Sequence, residues 1–102
     1  MTDPVDTLAC PTISIVIPAH NEAGNLPGLI DEVAAAFSGR RDYEIVVVDD
    51  ASSDHSAAVL SQLQRRLPQL RVLRHVRNAG QSTALINGVR HARGVWIGTL
   101  DG

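Results

Sequence analysis

The sequence contains no lysine; its nine basic residues are all arginine. That absence excludes any mechanism needing a catalytic or phosphate-gripping lysine within the chain, and with it a P-loop, whose motif requires Gly-Lys-Ser/Thr. Cys10 is the single cysteine, so neither an intrachain disulfide nor a cysteine-based zinc site can form. Phe37, Tyr43 and Trp96 are the only aromatic residues, which obliges the core to be built from Val, Ile, Leu and Ala. No apolar run approaches the roughly 18 residues needed to cross a bilayer. Residues 1–11 carry Asp3 and Asp6 and no basic start, unlike a signal peptide. The net charge of -2 argues against nucleic acid as the main partner, because phosphate-tracking surfaces are strongly basic. The chain is cytoplasmic in character.

What is present is an alternation of two hydrophobic rhythms over 102 residues, enough for one domain or less. Residues 1–11 hold Pro4 and Pro11 without periodicity and are read as a loose leader, with the domain occupying 12–102. Residues 13–17 form a β-branched run that ends at Pro18, as a buried strand does. Asn25 is placed as the N-cap of a first helix, with Pro27 tolerated in its first turn. Leu26, Ile30 and Ala34 form one row of that helix, Leu29, Val33 and Phe37 another, and Ser38-Gly39 stops it. A second strand over 43–48 closes on Asp49-Asp50. Ser53 or Asp54 caps a helix with the stripe Leu60, Leu63, Leu67, which Pro68 ends. A third strand covers 70–75, and a helix over 79–93 turns Ala84, Leu85, Gly88, Val89 and Ala92 inward. Gly94 breaks it, and a fourth strand covers 95–100. The order β-α-β-α-β-α-β with short connections predicts a parallel sheet covered on both faces. Ligands of such folds bind at the carboxyl ends of the strands.

Three acid-bearing segments fall at those ends: Pro18-Ala19-His20-Asn21-Glu22, Asp49-Asp50-Ala51-Ser52-Ser53-Asp54, and Asp101-Gly102. Singly, Asn21, Ser53 and Asp54 read as helix caps as readily as ligands; their convergence on one edge favours a shared ligand. In order and spacing, these segments together with Arg77-Asn78-Ala79-Gly80-Gln81 and Leu100-Asp101-Gly102 resemble the family 2 glycosyltransferases of GT-A fold. Gly80-Gln81-Ser82-Thr83-Ala84-Leu85, then Ala92-Arg93-Gly94 and Thr99-Leu100-Asp101-Gly102, are similar to the polyprenyl-phosphate branch, the dolichyl-phosphate mannose synthase type.

The resemblance implies a Rossmann-like, three-layer α/β/α domain with a mostly parallel sheet, cut after the fourth strand. It implies transfer of a hexose from a nucleoside diphosphate sugar, GDP-mannose or a UDP-sugar, to a polyprenyl phosphate. Pro18, His20 and Glu22 would lie against base and ribose, with His20 standing where an aromatic residue is frequent. The Val48 backbone and the Asp50 side chain would read the base edge, while Asp49 orients its loop. Gly80 and Gln81 would approach the donor, although Gly80 serves equally as a tight turn, and Arg77 faces solvent. Asp101 would be the first Asp of an Asp-x-Asp motif holding Mg²⁺ or Mn²⁺, hard cations that prefer oxygen ligands and neutralise a diphosphate leaving group. Gly102 would bring backbone near the ribose or diphosphate. No residue of this piece is assigned to catalysis itself, and the piece is expected to lack turnover, to leave an apolar edge or face that promotes self-association, and to reach a membrane only through a missing C-terminal part.

Three other readings compete. A dinucleotide-binding domain needs G-x-G-x-x-G after the first strand, where this chain has Pro-Ala-His-Asn-Glu. A receiver-like signalling module wants its acidic pair after strand one and a lysine downstream. A non-catalytic sugar-nucleotide-binding module remains compatible with the same residues.

Overall fold

The computed structural model describes residues 11–100. The leader assignment over 1–10, and Asp101 and Gly102, lie outside the described residues; Pro11, given to the leader above, is buried. Four strands alternate with three helices: β1 (Ile13–Ala19), α1 (Leu26–Ala36), β2 (Tyr43–Asp50), α2 (Ser56–Arg66), β3 (Leu70–His75), α3 (Gln81–His91) and β4 (Trp96–Thr99). All neighbouring strands are parallel and the sheet order is β3-β2-β1-β4. The chain thus steps from β1 to β2 to β3 in one direction, and α3 then carries it across the sheet to the far side of β1.

Side-chain alternation along the strands divides the core in two. Ile17, Ile45 and Val47 face Leu26, Ile30 and Val33 of α1 and Leu60 and Leu63 of α2. Val16, Val46 and Val48 face α3, where Ala84 is fully buried. Burying aliphatic side chains of this size stabilises the fold by roughly 1.5–3 kcal/mol apiece, which is how a core so poor in aromatics holds together. Phe37 and Tyr43 stack at 4.9 Å and seal the lower end of the α1 side.

Helix α3 comes closer to the sheet than a larger residue would allow. A Cβ on Gly88 would lie 2.3 Å from Val16 Cγ1. In the turn that follows, a Cβ on Gly94 would meet the Ser14 nitrogen at 2.7 Å, and the Gly94 amide donates to Ser14 Oγ. Gly94 is therefore required by close approach; the helix itself has already ended at His91.

The helix ends correct two caps. Asn25 occupies the N-cap position of α1, but its side chain makes no capping bond and its Nδ2 instead donates to Glu22 Oε2. At α2 the N-cap position is His55, not Ser53 or Asp54, although Asp54 Oδ1 accepts from the Ser56 amide and hydroxyl just beyond it. Helix α3 is shorter than its apolar pattern, with Ala84 and Gly88 buried while Val89 is exposed.

Candidate functional site

The β1–α1, β2–α2 and β3–α3 connections all leave the carboxyl edge of the sheet, and a cleft of about 220 Å³ opens among them. Its walls are Pro18, Ala19, His20 and Glu22 from the first, Asp50 from the second, and Asn78, Gly80, Gln81 and Ala84 from the third connection and α3. Glu22 and Asp50, expected at one ligand, share this cleft. So do Pro18, His20, Gly80 and Gln81. Val48 does not line it: its side chain is fully buried in the core against α3, and its backbone lies between Pro18 and Leu73 in the sheet.

The two adjacent acids of β2 serve opposite faces, as period-two alternation requires. Asp49 is buried on the α1–α2 side, where its Oδ1 accepts from the Ser52 amide at 3.1 Å and so shapes the β2–α2 turn. Its Oδ2 is the one buried side-chain nitrogen or oxygen without a hydrogen-bond partner among the described residues. Asp50 faces the cleft. Its Oδ1 accepts from the Ala79 amide and from His75, and its Oδ2 from the Gly80 amide, each at 2.8 Å. Burial alone would raise its pKa, but the Ala79 amide, His75 and the Gly80 amide together outweigh that and hold the carboxyl below its usual range. Three of its acceptor positions are thus filled by the chain itself.

Gly80 has φ +93, a left-handed value that only glycine adopts without strain, and its amide is turned to Asp50 and Asn78 Oδ1. The tight-turn reading of Gly80 therefore describes its backbone better than a donor-facing N–H does.

His20 is pinned by its edge. Nδ1 is 2.7 Å from the Asp50 carbonyl, which can only accept, so the proton sits there. Nε2 then accepts from the Asn21 amide at 3.3 Å. Asn78 Nδ2 is 3.3 Å from both ring nitrogens, a position over one face of the ring.

Pattern reading passes over the part played by Asn21, which sits at φ +53, a region Asn tolerates. Its Oδ1 accepts from the amides of Ser53 and Asp54, and its own amide donates to Ser52 Oγ. Asp54 Oδ2 accepts from the Ala23 amide. The first two connections are thereby laced together before any ligand arrives. His75 and Asn87, behind Asp50, carry no sequence signal; they are polar positions on a strand and a helix that only the folded chain brings together.

The cleft presents the carboxylates of Glu22 and Asp50 and no basic side chain, so a diphosphate placed here would need its charge balanced from elsewhere. Glu22 is tied to Asn25 and Asp50 to its amides, and among the described residues no cluster of three acidic, histidine or cysteine side chains is arranged to hold a metal. The described residues alone do not make a cation site, and Asp101, the residue assigned to one, lies outside them.

The fold, a parallel four-stranded sheet with helices, matches that of solved GT-A glycosyltransferases. S. aureus TarS 1-349 superposes with a TM-score of 0.80 at 23% identity, over 88% of this chain and 27% of that one. A Pyrobaculum calidifontis mannosyltransferase, solved with GDP-Man and Mn²⁺, superposes with a TM-score of 0.73 at 27% identity, over 81% of this chain and 25% of that one. The family model for glycosyl transferase family 2 matches residues 14–102, and the chain belongs to that family. An undecaprenyl-phosphate 4-deoxy-4-formamido-L-arabinose transferase of Edwardsiella ictaluri is 42% identical over 92 residues, 87% of this chain and 28% of that protein. A dolichyl-phosphate beta-glucosyltransferase of Trichomonas vaginalis is 32% identical over 94 residues, 86% of this chain and 28% of that protein. The chain thus spans about 28% of the length of these curated relatives. Divalent metal use occurs in the family, as the Mn²⁺ complex illustrates. Among the described residues no helix is long and apolar enough to cross a membrane.

Proposed function

We propose that the cleft binds the nucleoside part of a nucleoside diphosphate sugar, and that the full-length protein transfers the hexose to a polyprenyl phosphate. The observation that carries this is the meeting of Pro18, His20, Glu22, Asp50, Gly80 and Gln81, spread over three connections, around one cleft at the carboxyl edge of the sheet. Its volume of about 220 Å³ is below the roughly 300–1,000 Å³ of pockets that enclose a whole drug-sized ligand. That size suits one ring system better than a complete nucleotide sugar. His20 offers an imidazole face to a base, and Glu22 offers a carboxylate to ribose hydroxyls. Asp50, with one acceptor position left on Oδ2, reads the base edge only in addition to its task of holding the α3 entrance.

The acceptor assignment is supported by relatives that are named as undecaprenyl-phosphate and dolichyl-phosphate transferases. A polyprenyl phosphate is already ionised near neutral pH, so positioning and charge neutralisation suffice where an alcohol would need a strong base. We assign the neutralising Mg²⁺ or Mn²⁺ to Asp101 and the diphosphate, with Gly102 beside them, in keeping with a cleft that supplies no cation of its own. The reading extends to membrane association of the full-length protein at a cytoplasmic face, and to self-association of this chain through the exposed β4 side, where Val95 and Trp96 are 80% and 70% exposed.

Titration of UDP and GDP, each with Mn²⁺, into the 102-residue chain by calorimetry tests the binding claim. One nucleotide is expected to bind, and His20→Ala to weaken it about tenfold, the scale of a stacking contact. Absence of binding by both at millimolar concentration would sink the assignment. For the full-length protein, transfer to saccharides but not to lipid phosphate would overturn the acceptor.

A further inference from the structure

Three polar side chains run inward from the cleft, and only the first of them lines it. Asp50 ends β2, His75 ends β3, and Asn87 lies on α3. His75 Nδ1 is 2.8 Å from Asp50 Oδ1, and its Nε2 is 2.8 Å from Asn87 Nδ2. An amide nitrogen can only donate, so Nε2 accepts, and the single ring proton sits on Nδ1 facing the carboxylate. The ring is thereby held in one orientation, with Nδ1–H toward Asp50 and its side chain 16% exposed.

The same carboxylate receives the amides of Ala79 and Gly80, at the entrance to α3. The connection leading there has almost no apolar anchorage: Val76, Arg77, Asn78 and Ala79 are all exposed, Val76 by 96%. Polar ties must therefore hold this rim of the cleft, and those to Asp50 are the ones that reach the sheet. The two amides take one oxygen each; a third donor on Oδ1, from a ring itself held to α3, braces the carboxylate.

We propose that His75 is a positioning residue of the cleft, whose Nδ1–H fixes the Asp50 carboxylate so that it clamps the Ala79 and Gly80 amides and sets the rim made by Asn78, Gly80 and Gln81. The ligand part of this proposal rests on the nucleotide reading of the cleft; the tautomer and the clamp do not.

Two substitutions separate the ring's two bonds. Asn at position 75 puts an N–H where Nδ1 stands, whereas Gln reaches the Nε2 position and faces Asn87 without a donor to Asp50. The experiment uses the ¹⁵N-labelled 102-residue chain. A long-range ¹H–¹⁵N spectrum of the histidine rings is expected to show His75 protonated on Nδ1 and bare on Nε2. Amide exchange at Ala79 and Gly80 should quicken about tenfold in His75→Gln and stay near wild type in His75→Asn, as loss of one hydrogen bond to a charged group predicts. Affinity for UDP or GDP, whichever binds the wild type, should follow the same order while the two variants share one thermal midpoint. A ring protonated on Nε2, or equal amide exchange in the two variants, would overturn the proposal. Should the wild type bind neither nucleotide, the cleft's assignment falls while tautomer and amide exchange still decide the clamp, and the wild-type ring spectrum decides even if a variant does not fold.

Discussion

At the scale of single residues, backbone conformation separates positions that look alike in the sequence. Ala51 has φ +57, a left-handed value in a residue with a Cβ, directly after the two acids of β2. Glycine adopts that conformation without strain, and the relief outweighs the added chain entropy, so Ala51→Gly is expected to raise stability by about 0.5–1 kcal/mol, read from urea denaturation. Gly88→Ala should act oppositely. Its Cβ would stand 2.3 Å from Val16 Cγ1, and overpacking of this kind costs about 1–3 kcal/mol, measurable by the same unfolding curves. Both outcomes turn on local geometry that letters do not encode. The acidic pair shows the limit most clearly. That Asp49 and Asp50 serve opposite faces is legible from strand alternation, while the assignment of Asp49 to the loop rests on the family resemblance. That Asp50 is already clamped on two amides and a histidine is not, because Ala79, Gly80 and His75 approach it from 25 to 30 positions away.

At the scale of elements, the lower end of the sheet is tied by a second buried acid. Glu44 of β2 is 4% exposed and accepts from Ser14 Oγ, from Arg71 Nη1 and from the Arg93 amide at 2.6–2.8 Å. Through Arg93 and the Gly94–Ser14 bond, it fastens the α3–β4 turn to β1. Burial pushes the Glu44 carboxyl up, but the Arg93 amide, the Ser14 hydroxyl and Arg71 outweigh it and hold the carboxyl below its usual range. A carboxyl depressed on folding stabilises the protein above its unfolded pKa, and that contribution disappears as pH falls through the folded value. Thermal midpoints are therefore expected to drop as the pH falls below the ordinary glutamate value of about 4.3, and Glu44→Gln should flatten the drop while lowering stability at pH 7. Asp50 titrates in the same sense and is expected to account for part of the residual slope. None of this lower clamp is foretold by periodicity, since Glu44 stands in a run of β-formers where a half-buried strand would equally carry a solvated acid.

At the scale of the molecule, the alternation of strands and helices is legible because β-branched runs and i, i+4 rows differ in period. The order β3-β2-β1-β4 is not, since it depends on which way each crossover turns and on which edge α3 reaches. The two outer strands also differ in a way that only the assembled sheet reveals. The β3 side carries Arg71, Arg74 and His75, whereas the β4 side exposes Val95, Trp96 and Ile97. Charged edges resist edge-to-edge pairing and apolar ones invite it. Trp96→Lys is accordingly expected to lower the apparent mass of this chain in sedimentation at high concentration, with little change in nucleotide affinity.

Because α3 starts beside β3 and delivers the chain to the opposite side of β1, the cleft exists only once all the strands before it are in place and the crossover has closed over them. On the nucleotide reading proposed above, occupancy would be coupled to cooperative folding of the entire unit, not to the ordering of one loop. A saturating ligand should move the whole unfolding transition upward with the logarithm of its concentration, so a simple melting curve doubles as a binding assay for this chain.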